Sequence, residues 1–117
     1  MTNIFSKTWA DAADLIETYG WAKGTFGSQA CGFCVGGAFM EACPEFAKKT
    51  IGFYGPTSEV NEAVDSVLIK YDLRGKPGEM SVVYINDNLL KTKEEAVKLC
   101  RELAEVTKDI ELKDIEL

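Results

Sequence analysis

Histidine is absent from this 117-residue chain. That single absence removes Ser-His-Asp and Cys-His catalysis, histidine-ligated metal centres and any imidazole pH switch. A catalyst built from these residues would have to use Cys, Lys, Asp, Glu or Tyr. Basic clusters are also missing: no run of Lys and Arg exceeds Lys48-Lys49, and the net charge is −6. Binding to a phosphate backbone is therefore disfavoured, and nucleic acid is not an expected partner. The acidity would suit a basic partner surface, but a charge of this size is ordinary for a small soluble domain.

Long apolar runs are lacking as well. The longest uncharged stretch, Gly24 to Met40, is interrupted by Thr25, Gly27, Ser28 and Gln29. A membrane span needs about 20 predominantly apolar residues, so this stretch is expected to be a buried segment and no membrane is expected. Met1 to Lys7 lacks the basic end and apolar run of a secretory signal, and Asp114-Ile115-Glu116-Leu117 is not an endoplasmic-reticulum retrieval tetrapeptide. The expected location is the cytoplasm.

What is present is an ordinary globular composition, 46% hydrophobic and 27% charged. A chain of this length suits one domain with one core. The expected fold is mainly α: a compact bundle of about four helices around a central helix carrying Gly and Cys. Residues 1–107 form the domain, and 108–117 form a tail in which Lys-Asp-Ile-Glu-Leu occurs twice, at 108–112 and 113–117. Two copies of five residues are too few for a solenoid.

Helical spacing places Phe5, Trp9, Ala12, Ala13, Ile16 and Tyr19 on one face of a first helix over Phe5 to Tyr19. Gly20 stops it. A Gly-rich connection follows, with Ser28 as the expected N-cap of a second helix from Cys31 to Cys43. This second helix carries one charge, Glu41, which puts it at the centre of the bundle. Gly36 and Gly37 each cost about 1 kcal/mol of helix propensity relative to alanine, which points to close backbone packing there. Pro44 ends the helix or opens a short one through Phe46 and Ala47.

Thr57 or Ser58 caps a third helix with Val60, Ala63, Val64, Val67, Leu68 and Tyr71 on its buried stripe. Arg74 to Gly78 reads as a turn or surface loop. Met80 to Ile85 is short and β-branched, which allows one brief extended segment near 80–85, and Asn86-Asp87-Asn88 reads as a turn. Thr92 to Glu95 is a capping box opening a last helix that buries Ala96, Val97, Cys100, Leu103 and Ala104.

Four cysteines lie at 31, 34, 43 and 100. Cys31-Gly32-Phe33-Cys34 at a helix start has the local layout of a thiol redox motif, because helix-start amides stabilise a thiolate. The strand before the motif and the βαβ frame of a thioredoxin are not recognisable. Zinc would need Cys43 to join Cys34, yet nine residues of continuous helix put these two on opposite sides. The expectation is no metal and no cofactor, with the cysteines as small buried hydrophobes. Asn86 and Asp87 could pair with a buried thiol, but an ordinary carboxylate is a poor base for a thiol, so both are expected to bond backbone groups. Trp9, Trp21, Phe26, Phe33 and Tyr54 could line an aromatic pocket, although aromatics at helical spacing more often fill a core. Arg74 and Lys76 lack the loop-to-helix signature of a phosphate site.

The stretch Phe33-Cys34-Val35-Gly36-Gly37-Ala38 resembles an aromatic-Cys-x-x-Gly-Ala motif in an uncharacterised family of small phage and bacterial proteins. In that family a helix ends in Gly-Trp, as at Gly20-Trp21. Later come Trp-Asn-Asp and Thr-x-Glu-Glu, matched here by Asn86-Asp87 and Thr92-Lys93-Glu94-Glu95. The resemblance spans roughly residues 12 to 105 and departs at Ile85, where the family has Trp, and at Asn88 to Lys91. It implies a shared helical fold with Cys34, Gly37, Asn86 and Asp87 near one another, and no activity. The expected function is binding of another protein or a small ligand without catalysis, with a phage inhibitor of host defence as one form. The alternative is a thiol redox protein or enzyme using Cys31 and Cys34. Oligomeric state is not legible.

Overall fold

The computed structural model describes residues 3–48, 57–71 and 81–111. The expected Gly52–Pro56 connection, the Arg74–Gly78 loop, Tyr54, and the tail beyond Glu111 lie outside the described residues. The architecture is mainly helical, as its residue patterning requires. Helix α1 spans Ile4–Tyr19, α2 Val35–Ala42, α3 Pro44–Ala47, α4 Ser58–Leu68, α5 Ser81–Tyr84 and α6 Lys93–Thr107. A 3-10 turn at Ile69–Tyr71 follows α4, and a π-helical turn at Ile85–Leu89 follows α5. Between α1 and α2 lies a two-stranded antiparallel hairpin, β1 (Gly27–Ser28) against β2 (Gly32–Phe33), with Gly27 opposite Phe33.

Helix α1 is the spine, packing on both α6 and α2, while α4 packs on α6. Its face of Phe5, Trp9, Ala12, Ala13 and Ile16 is fully buried. Phe5, Trp9 and Phe39 meet at ring-centroid distances of 4.5 to 6.5 Å, and Phe46 of α3 closes the cluster against Phe5 at 6.0 Å. Each such side chain contributes roughly 1.5–3 kcal/mol by leaving water. The α1–α6 seam also carries a buried hydrogen bond, from Ser6 Oγ to the Ala104 carbonyl at 2.7 Å. Within α6, the buried Thr107 Oγ1 donates to the Leu103 carbonyl at 2.7 Å.

Helix ends follow local chemistry. Asn3 caps α1 by accepting the Ser6 N–H at 2.8 Å, and its amide nitrogen donates to the Thr107 and Ile110 carbonyls, tying the start of α1 to the end of α6. Thr57 Oγ1 accepts the Val60 N–H at 3.2 Å, and Thr92 Oγ1 accepts the Glu95 N–H at 3.2 Å. Glu95 Oε1 reaches back to the Lys91 N–H at 2.9 Å, one residue before the usual capping-box donor. Pro44 stands at the first position of α3, where its missing N–H has no intrahelical role.

Two local expectations change. Residues 81–85 are helical rather than extended, and Asn86 to Asn88 lie inside the π-helical turn. The β-branched content of Val82, Val83 and Ile85 favours strand only weakly, and burial of Val82 and Ile85 decides the conformation. The central helix begins at Val35, not Cys31, and its N-cap is Cys34, not Ser28. Residues 31–33 are used by the hairpin instead.

Candidate functional site

The residues singled out from sequence converge where the hairpin meets the start of α2. Gly20, with φ 103°, ends α1, and its carbonyl accepts the Phe33 N–H at 3.0 Å. The Ala22 N–H donates to the Phe33 carbonyl at 3.0 Å, so Trp21 forms a parallel bridge to Phe33. The Cys34 N–H donates to the Phe26 carbonyl at 3.3 Å. The layers are backbone on backbone. A Cβ at Gly37 would sit on the Phe26 carbonyl oxygen and 2.7 Å from its carbon. One at Gly32 (φ +85°) would lie 2.6 Å from the Gly20 carbonyl carbon. Glycine is required at both by space, and at Gly32 by conformation too.

Asn86 fastens these layers as the centre of a clasp. It is fully buried on the π-helical turn. Its Oδ1 accepts the Trp21 indole N–H at 2.7 Å and the Val35 N–H at 3.0 Å. Its Nδ2 donates to the Ala22 carbonyl at 3.0 Å and to Asp87 Oδ1 at 2.9 Å. Asp87 Oδ1 also accepts the Gly24 N–H at 3.0 Å. Both lone pairs and both protons of the Asn86 amide are thus occupied, which is the full capacity of that side chain.

Cys34 completes the arrangement from the other side. Its Sγ accepts the Gly37 N–H at 3.1 Å and its carbonyl accepts the Ala38 N–H at 2.9 Å. Together with Asn86, it satisfies amides that would otherwise be free at the start of α2. Burial pushes the Cys34 thiol above the ordinary thiol range, against the opposing pull of the Gly37 and Gly36 amides. Burial raises Cys100 likewise. Both are held as neutral thiols, which are weak nucleophiles.

Cys31 differs. It is exposed, 3.3 Å from Ser28 Oγ, with its thiol directed to the Gly32 carbonyl at 3.6 Å. The two residues between Cys31 and Cys34 form β2. Gly32 takes φ +85°, and the two cysteines stand as free thiols in different surroundings, Cys31 exposed and Cys34 buried. Cys43 and Cys34 flank opposite ends of α2, whose eight residues rise about 12 Å. Among the described residues, no three Cys, Asp or Glu side chains form a group that could hold a metal.

The suggested aromatic pocket is dispersed. Trp9 and Phe33 are in the core, Trp21 is half-buried with Lys23 Nζ 5.0 Å over its ring, and Phe26 is 44% exposed. Arg74 and Lys76 lie outside the described residues. Sequence reasoning did not single out the Trp21 indole or the Gly24 amide as partners of the Asn-Asp pair. The Gly-Trp pair at the end of α1 was the available signal.

The Cys34 thiol bonds the Gly37 amide, Asn86 bonds backbone and indole groups, and Asp87 bonds the Gly24 amide and Asn86. No curated protein and no solved structure matches the chain. A family model does match, over residues 5–106, which includes every residue of the clasp. The chain belongs to the family of unknown function DUF6197.

Proposed function

We propose that this is a non-enzymatic binding protein, acting in the cytoplasm by occupying another protein or holding a small ligand. One observation carries the reading: all four hydrogen-bonding positions of Asn86 are consumed inside the fold. The polar groups that could have done chemistry hold the hairpin to α2 instead. The absence of histidine adds support, since no imidazole is available to activate a thiol. A phage origin, with a host defence protein as the target, belongs to the same reading and rests on the resemblance alone. The test is co-purification from the host cell, native mass spectrometry of the eluate, and reconstitution of the complex from purified parts. A stoichiometric complex that reforms supports the proposal. Turnover of a substrate that depends on Cys31 or Cys34 contradicts it.

The alternative is a thiol redox protein, and the exposure of Cys31 is the observation in its favour. Against it stands the buried Cys34, whose Sγ is taken by the Gly37 amide. Thiol titration separates the two readings, because a redox protein requires one fast thiol with a depressed pKa.

A further inference from the structure

We draw no further inference here: the strongest candidate, the open groove where α6 passes the end of α1, carries nothing because Glu17, Lys98, Arg101, Glu102 and Glu105 of its lining are already engaged in surface ion pairs and nothing in the structure shows what covers it.

Discussion

The Asn86 carboxamide oxygen accepts the Trp21 indole N–H at 2.7 Å, joining two side chains 65 residues apart in the chain. The same oxygen takes the Val35 N–H at the start of α2. Removing it strands two donors at once. Asn86→Ala should cost about 2–4 kcal/mol, since each buried group left unsatisfied costs roughly 1–3 kcal/mol. Urea denaturation followed by tryptophan fluorescence measures this, and a loss under about 0.5 kcal/mol would show that the clasp contributes little.

Gly37 and Gly24 offer a graded comparison. An added Cβ at Gly37 meets the Phe26 backbone, whereas at Gly24 (φ +74°) nothing lies within 4 Å. Gly24→Ala should therefore show only the left-handed strain of about 1–2 kcal/mol. Gly37→Ala must also displace the hairpin, and its loss should exceed that of Gly24→Ala in the same denaturation experiment. Equal losses would contradict the backbone contact.

Thiol labelling with a chromogenic disulfide should resolve the four cysteines by position. Cys31 is exposed, Cys43 half-buried, and Cys34 and Cys100 buried. Cys31 should react first. Cys34 and Cys100 should react only through opening of the structure, at rates that rise with urea. Peptide mass spectrometry assigns the order, and early labelling of Cys34 would contradict the packing.

Stability should be flat near neutrality and fall in alkali. Without histidine, no ordinary side chain titrates between about pH 6 and 8, and stability should change by less than about 0.5 kcal/mol there. Burial raises the folded-state thiol values of Cys34 and Cys100 above the ordinary 9.0. The folded chain then holds protons that the unfolded chain releases, so stability is lost as pH rises through the thiol range. The slope approaches about 1.4 kcal/mol per pH unit for each thiol. Denaturation at several alkaline pH values checks this, and Cys100→Ala should reduce the slope.

The helices with strong periodicity were legible in the amino-acid sequence. The expected span Phe5 to Tyr19 meets an observed helix of Ile4–Tyr19, and Thr57 and Thr92 cap α4 and α6. Their signals are local: a 3.6-residue stripe, a hydroxyl cap, a glycine stop. The start of α2 was not legible, because Cys34 acts as its cap through a sulfur, and Ser28 has the better intrinsic preference. The π-helical turn was hidden for a related reason. Asn86 to Asn88 has turn chemistry by itself, and only the distant Trp21, Ala22 and Val35 groups reveal a buried amide in a helical frame. The paired glycines signalled a close approach, but its partner, the Phe26 carbonyl, could come only from the folded arrangement.

Hydrogen exchange at two protons probes the clasp most directly: the Trp21 indole N–H and the Val35 amide, followed by NMR on 15N-labelled protein. If Asn86 holds both, they exchange only with global unfolding and lose that protection together in Asn86→Ala. An indole proton that exchanges as freely as a solvent-exposed amide in the parent protein would contradict the account.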